Sequence, residues 1–181
     1  MPSNEKKASP ALAEQKRAYY LNEVRSHGRN YSNFDWPSVE VILNLLLVGD
    51  ELQTHTAGRF ARYGLSISAF NVLTILSRRK KEGCFPHELS ELLLVTRANI
   101  TGVIETLVKQ GFVVRRLNES DRRKCRLQIT PAGQNLLDRI LPDHFKELKR
   151  VVCSLSSSEK KSFNHLMEKI RSGLVKERGG E

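Results

Sequence analysis

Hydrogen-bonding side chains lie at the start of a segment whose apolar residues recur with helical spacing. The apolar positions follow i, i+3, i+4 and i+7 and so share one helix face: Ile100, Val103, Ile104 and Leu107. Four polar residues precede this apolar face in the sequence or lie opposite it on the helix: Thr96, Arg97, Asn99 and Thr101. Together with Ala98 and Gly102 they form a small, polar surface, which lets a backbone approach the floor of a DNA major groove while donors and acceptors reach base edges. This spacing predicts a DNA-reading helix.

A strongly basic segment follows and alternates as a β-hairpin does. Residues 125–130 alternate apolar and polar side chains, residues 112–117 form the first predicted strand, and residues 118–120 are a polar turn. The basic residues around the tip are Arg115, Arg116, Arg122, Arg123, Lys124 and Arg126, whereas the acidic residues there are only Glu119 and Asp121. A basic hairpin can also be a solvated edge that charge protects from aggregation. Its position directly after the reading helix favours a DNA-binding wing, a name used below for residues 112–130.

Shorter helices precede the reading helix and would hold it in place. Residues 67–79 and 86–94 each have helical spacing, and Thr96 is placed to cap the reading helix. Three helices and a basic hairpin predict a winged helix-turn-helix over residues 65–130. The fold class is therefore mostly α with a small β-hairpin wing.

Long helices flank this reader. Residues 37–63 are apolar on nearly every side of a helix in their first half, and residues 131–176 carry two amphipathic helices, with Pro142 expected to kink the first and Ser156 to cap the second. These helices could cover their own core, but a three-helix reader offers too little surface for all of them. We therefore predict helical dimerisation segments at 37–64 and 131–176. Residues 1–36 form an N-terminal extension with one helix, which begins at Pro10.

Charge and hydropathy limit the function classes. The 181 residues carry a formal net charge of +10, which favours polyanionic partners. The longest apolar run, residues 39–48, is interrupted by Glu40 and Asn44 and is far shorter than the ~20 residues of a membrane span. No apolar leader follows the first lysines. The sequence predicts a soluble cytoplasmic protein with no membrane partner.

Residues that could perform other chemistry are sparse. Cys125 and Cys153 have the spacing of small core residues, whereas Cys84, in a loop beside Gly83, could be reactive. Cys84 and His87 have a CxxH spacing without a second pair, so we expect no metal site. There is no glycine-rich phosphate loop, nucleophile elbow or HExxH motif, and we expect no cofactor and no enzymatic activity. The alternative is a constitutive winged helix that contacts protein or RNA without an effector, although an RNA reader would normally show aromatic platforms, which the wing lacks.

The wing also carries a specific motif. Asp121 and Arg123 form Asp-x-Arg, and Thr130-Pro131-x-Gly133 follows about seven residues later. Two further segments precede this motif: GLSISAFNVLTIL and HELSELLLVTRANITGVIETLVKQGFVVRR. Through these segments and the motif, residues 64–133, and more loosely the chain to residue 174, resemble the MarR family of bacterial transcription regulators.

The resemblance implies a homodimeric regulator on a palindromic operator of double-stranded DNA. We expect a repressor, with an activator as the alternative. The resemblance also implies that the four polar residues Thr96, Arg97, Asn99 and Thr101 face the major groove. It further implies that Arg123 enters the adjacent minor groove, with Arg122 and Lys124 beside it, and that Asp121 orients a neighbouring arginine.

Family members often hold small aromatic or phenolic compounds between the reader and the dimerisation helices. The resemblance therefore implies a small organic anion as effector, and the cationic and polar candidates on the expected cleft are Arg59, Tyr63, Asn71 and Arg78. The extra N-terminal helix resembles a subgroup that responds to urate-like anions. That subgroup is expected to have an aspartate where this chain has Asn71, which argues against urate. The alternative is that these are ordinary surface residues and that the protein binds DNA constitutively.

Overall fold

The computed structural model describes residues 10–80, 82–93, 97–118 and 121–178. These residues fall into two compact units, which divide between Ile67 and Ser68 and are treated separately below.

The first unit contains two helices, α1 (Pro10–Gly28) and α2 (Trp36–Ala61). Asp35 caps α2, because its side chain accepts a 3.0 Å hydrogen bond from the backbone N–H of Ser38. Hydrogen bonds from the side chain of Ser38 and then from its backbone hold the pKa of the Asp35 carboxyl below its usual value. Arg17 of α1 donates to the side-chain oxygen of Asn44 of α2 at 2.6 Å, so a polar contact joins the two helices.

The second unit contains the remaining five helices and a hairpin, in an order that matches a winged helix. These elements are α3 (Ile67–Arg78), α4 (Pro86–Leu93), α5 (Arg97–Lys109), β1 (Val113–Asn118), β2 (Asp121–Ile129), α6 (Pro131–Val151) and α7 (Ser157–Arg178). The fold is mostly helical with a two-stranded antiparallel hairpin, which confirms the predicted fold class.

The hairpin pairs Val113 with Ile129 and Leu117 with Cys125, and the register shifts after Leu117. β2 begins at Asp121, several residues before the alternation in the sequence reveals it. An isolated bridge joins Cys84 to Leu127, so one residue of the α3–α4 connection extends the sheet beyond the hairpin.

The core of the second unit lies between the reader helices, the inner face of the wing and the first half of α6. Its most buried side chains are Val72, Leu73, Leu76, Cys84, Leu89, Ile104, Leu107, Val113, Leu127, Leu137 and Ile140. The apolar face predicted for α5 is therefore confirmed, with Val103 half-buried beside it. Ser77 of α3 donates to Gln134 of α6 at 2.8 Å, which adds a polar contact to this packing.

The sequence left the reactivity of Cys84 open, and the core position expected for Cys153 is wrong. Cys84 is completely buried, because its backbone pairs with β2, and burial raises the pKa of its thiol to about 11. Such a thiol is neutral at physiological pH and poorly reactive. Cys153 is exposed in the single chain, since it follows the last turn of α6 and does not enter the core. Helix α6 continues through Pro142, and the expected kink stays a prediction.

Large apolar side chains remain exposed on the long helices. On α2 they are Val41, Ile42, Leu46, Val48 and Leu52, and on α6, on α7 and between them they are Phe145, Leu148, Val151, Val152, Phe163, Leu166, Met167, Leu174 and Val175. Among the described helices, none combines the length and the apolar character that crossing a bilayer requires.

Candidate nucleic-acid interface

Helix α5 presents one face to solvent while its other face is buried. Ile100 and Ile104 are each only 2% exposed, whereas Thr101, Gly102 and Glu105 are exposed. A rigid core therefore fixes the helix, and its small, polar side is left accessible. This is the arrangement that a major-groove reader requires.

The predicted base-reading residues occupy the start of this helix. Arg97 and Asn99 lie in its first turn, where the structure describes the backbone alone, and Thr101 follows with an exposed side chain. Thr96 lies outside the described residues. The base-reading roles of all four residues therefore stay predictions.

A tight turn connects α5 to the wing. Gly111 adopts φ +76°, a conformation that favours glycine, and the N–H of Phe112 donates to the carbonyl of Leu107 at 3.0 Å. Thr130, at the far end of the hairpin, donates its hydroxyl to the carbonyl of Gly111 at 2.7 Å. The same hydroxyl accepts from the N–H of Gly133 at 3.1 Å and so caps α6. The Thr-Pro-x-Gly motif thus closes the base of the wing.

The basic residues of the wing lie on both strands of the hairpin. Arg115 and Arg116 are exposed on β1. Asp121, Arg122, Arg123 and Lys124 form the start of β2, where the structure gives the backbone and register alone. Glu119 and Ser120, the rest of the predicted turn, lie outside the described residues. The minor-groove role of Arg123 and the orienting role of Asp121 also stay predictions.

The connection between α3 and α4 pairs with β2 through Cys84 and also holds the start of α4. The N–H of Phe85 donates to Glu88 at 2.6 Å, and Arg79 lies 3.3 Å from the same carboxylate. The Phe85 bond, followed by the interactions with Cys84 and Arg79, holds the pKa of Glu88 below its ordinary value despite partial burial. The first turn of α4 is therefore capped by its own glutamate and tied to the end of α3.

A cavity of about 220 Å³ lies between the reading helix and the wing. Its lining residues are Pro86, Thr101, Ile104, Arg115, Cys125 and Leu127. Sequence reasoning missed this cavity, although the alternation of β2 placed Cys125 and Leu127 on the inner side of the strand. The lining combines an apolar floor with one hydroxyl and one guanidinium, which suits a small molecule with a negative charge.

The four predicted ligand residues are divided between the two units. Arg59 and Tyr63, in the first unit, are half-buried near the end of α2, and Asn71 is half-buried on α3. Arg78 lines a different cavity, of about 310 Å³, beside Lys80 and Glu82 at the carboxyl end of α3, about two helical turns after Asn71. A common site for the four residues stays a prediction.

Within the described ranges, no three His, Cys, Asp or Glu side chains are grouped so that they could hold a metal ion. In particular, Cys84 and His87 do not belong to such a group.

Comparison with known proteins places these features in context. Residues 63–124 match the MarR family. The transcriptional repressor YetL of Bacillus subtilis is 34% identical over 140 residues, which cover 77% of this chain and 84% of that protein. The transcriptional repressor MprA of Escherichia coli K12 is 29% identical and covers 77% of this chain and 81% of its own length.

Solved structures share the fold at lower identity. A MarR protein from Peptoclostridium difficile superimposes with a TM-score of 0.67 at 20% identity, over 81% of this chain and 93% of its own. The Staphylococcus aureus MepR–DNA complex gives a TM-score of 0.65 at 14% identity, over 73% of this chain and 94% of that one.

Proposed function

Because this chain belongs to the MarR family of transcription regulators, we propose that it represses transcription by binding a palindromic DNA operator in a sequence-specific manner. The observation that carries this proposal is the continuity of α5 and the wing. One face of the helix is buried in the core, its opposite face is exposed, and a basic hairpin follows after a single turn. Such a unit can place side chains in a major groove and a neighbouring minor groove. The names of YetL and MprA as repressors support the sign of regulation.

A second copy of the chain is the proposed partner at the long helices. Leu46 on α2 is 64% exposed, and Phe163 and Leu166 on α7 are 51% and 55% exposed. Exposed apolar surface of this extent is typical of an interface between subunits. A twofold dimer would present two reading helices to two half-sites about one helical turn of DNA apart.

The experiment starts from a library of random duplexes of about 20 base pairs, since two reading helices about 34 Å apart span one turn and its flanks. Selection for binding should enrich an inverted repeat. Anisotropy titrations of that duplex from 50 to 200 mM salt should then show affinity that falls steeply with salt, because several cations per half-site displace counterions. Equal affinity for the selected duplex and random DNA at physiological salt would contradict the proposal. A selection that retains no duplex would favour the alternative winged-helix module, which contacts protein or RNA.

A small organic anion is the proposed effector. The 220 Å³ cavity supports this assignment because it joins the reading helix to the wing and contains Arg115 and Thr101 over an apolar floor. A cavity of about 150 Å³ suffices for a single benzene ring. An anion bound there would alter the spacing between reader and wing, and it releases DNA only if it prefers the non-binding arrangement.

To test the effector, aromatic and phenolic acids are first screened by thermal shift. Each acid that stabilises the protein is then tested for its ability to release the operator. Arg115→Gln should abolish the response to acids held in this cavity. Arg78→Gln tests the cleft implied by family resemblance. If peroxide releases the operator and every acid leaves it bound, the effector proposal is wrong.

A further inference from the structure

Arg126 is a basic wing residue whose side chain is engaged by the protein itself. Its guanidinium lies over the ring of Phe85, 4.5 Å from the ring centroid. Its Nη1 atom also donates to the backbone carbonyl of Glu82 at 2.7 Å. Both interactions bring the side chain onto the α3–α4 connection, although the sequence groups Arg126 with the cations at the wing tip.

Phe85, the platform for this guanidinium, is itself tied to α4. Its ring is stacked with that of His87, with centroids 5.7 Å apart and planes inclined by 12°. Its N–H donates to Glu88, in the first turn of α4. A side chain that rests on Phe85 is therefore positioned relative to the helix-turn-helix.

Backbone contacts beside the stack bring the same two segments together. The N–H of Cys84 donates to Leu127 at 3.0 Å, and the N–H of Leu127 donates to Cys84 at 2.9 Å. Gly83 has φ +66°, and a Cβ at this position would lie 2.7 Å from the carbonyl oxygen of Leu127. The connection thus lies directly against β2, and only glycine permits this approach.

The pairing of the hairpin gives a second reason to hold Arg126 away from the tip. Arg116 of β1 is its direct cross-strand partner. Like charges in such a position destabilise a hairpin. The Phe85 ring and the carbonyl of Glu82 offset this repulsion, because both attract the guanidinium.

We propose that Arg126 is a positioning residue that fixes the wing against the start of α4 through Phe85, and that it does not contact DNA phosphate. The consequence for DNA binding rests on the proposed function. The reading helix and the wing tip must engage adjacent grooves together, so the stack sets the angle between them. The local structural effect of the stack does not depend on DNA.

The first test uses the protein without DNA. Hydrogen exchange of the Leu127 amide reports opening between β2 and the connection, and the Thr130 amide, which donates to Phe112, serves as the reference. Phe85→Leu and Arg126→Gln should each accelerate exchange at Leu127 by about two- to thirty-fold, the range that a lost cation–π contact predicts. Phe85→Tyr keeps an aromatic face and should restore the parent rate. If the Leu127 amide exchanges at the parent rate in both Phe85→Leu and Arg126→Gln, the proposal is wrong.

The second test uses the selected operator. Phe85→Leu, Arg126→Gln and Arg126→Lys should all weaken binding by about two- to thirty-fold while the salt dependence keeps its parent slope, because no phosphate contact is lost. Lys124→Gln, at a proposed DNA contact, should instead flatten the slope by about two in a dimer. Phe85→Leu and Arg126→Gln should not be additive, since they remove the same contact.

A phosphate-contacting Arg126 gives the opposite pattern: Arg126→Gln would flatten the slope, and Arg126→Lys and Phe85→Leu would bind like the parent. That result overturns the proposal. Failure of the DNA-binding function itself looks different, because the parent protein would then show no preference for any duplex while the exchange experiment would still report the stack.

Discussion

Cys84 and Leu127 exchange two backbone hydrogen bonds, of 3.0 and 2.9 Å, although helices α4 and α5 and strand β1 lie between them in the chain. The pairing adds one residue of the α3–α4 connection to the edge of the wing. It also buries the Cys84 thiol completely. A position that resembles an open loop in the sequence is thus one of the most enclosed in the second unit.

This burial predicts a loss of stability at alkaline pH. The folded pKa of Cys84, about 11, exceeds the ordinary value of 9.0, so its neutral thiol stabilises the fold fully below pH 9. As pH rises from 9 through 11, this contribution is lost, at up to about 1.4 kcal/mol per pH unit. Urea unfolding from pH 8 to 11 should show a smaller decline for Cys84→Ala than for the parent.

Cys153→Ala provides the control for that measurement, because Cys153 is exposed. Its stability should follow the parent curve. If Cys84→Ala and the parent decline in parallel over this pH range, the Cys84 thiol does not titrate as its burial requires. At neutral pH, a thiol reagent should modify Cys84 only when the protein unfolds.

Gly102→Ala should separate stability from DNA binding. A Cβ at Gly102 meets no atom within 4 Å, and alanine is favoured over glycine inside a helix by about 0.5–1 kcal/mol. The variant should therefore unfold at higher temperature. The new methyl group lies on the face proposed to enter the major groove, so operator affinity should fall several-fold.

Gly173→Ala in α7 is the matched control, because a Cβ there also meets open space. It should share the gain in melting temperature and, where sedimentation shows the same dimer as the parent, keep the parent affinity for the operator. Unchanged binding by Gly102→Ala would argue that this face of α5 does not approach DNA.

Arg123→Ala tests the wing. Loss of the Arg123 side chain should weaken operator binding by about 1–3 kcal/mol if that side chain enters a narrowed minor groove. Asn99→Ala should, in addition, relax base preference at one position of each half-site. Anisotropy at matched salt measures the affinity, and repeated selection from random duplexes measures the preference. Parent-like binding by Arg123→Ala would remove the proposed minor-groove contact.

Leu46→Asp tests the proposed dimer. Leu46 is 64% exposed in the single chain, and a carboxylate at a buried apolar interface is strongly unfavourable. Sedimentation should show a shift from dimer to monomer, with a loss of operator binding. Asn22→Asp adds the same charge at an exposed site on α1 and should remain dimeric. A dimeric Leu46→Asp would place the interface elsewhere.

Local periodicity predicted much of this fold. The i, i+3, i+4 spacing that begins at Ile100 identified the buried face of α5, and Thr130-Pro131 identified the start of α6, because helical packing and capping depend on neighbouring residues. Contacts between distant segments were less accessible. Neither the enclosure of Cys84 by Leu127 nor the stacking of Arg126 on Phe85 has a local signal, since each depends on how β2 returns to the α3–α4 connection.

Exposure was also difficult to predict on the long helices. The apolar spacing near Cys153 indicated burial, but periodicity identifies a face without identifying what covers it. The base-reading and minor-groove roles stay predictions for a related reason. A polar side chain on an exposed face shows its chemistry in the sequence, whereas its contact with a base requires the complex.

The exposed apolar side chains of α2 and α7 have a consequence for how the amount of protein sets repression. Under the proposed dimerisation, a chain below its dimer dissociation constant forms dimers in proportion to the square of its total concentration. A twofold fall in synthesis would then cut the binding-competent species about fourfold. Leu46, Phe163 and Leu166 would thus help set the expression threshold of the switch, although none of them is proposed to contact DNA.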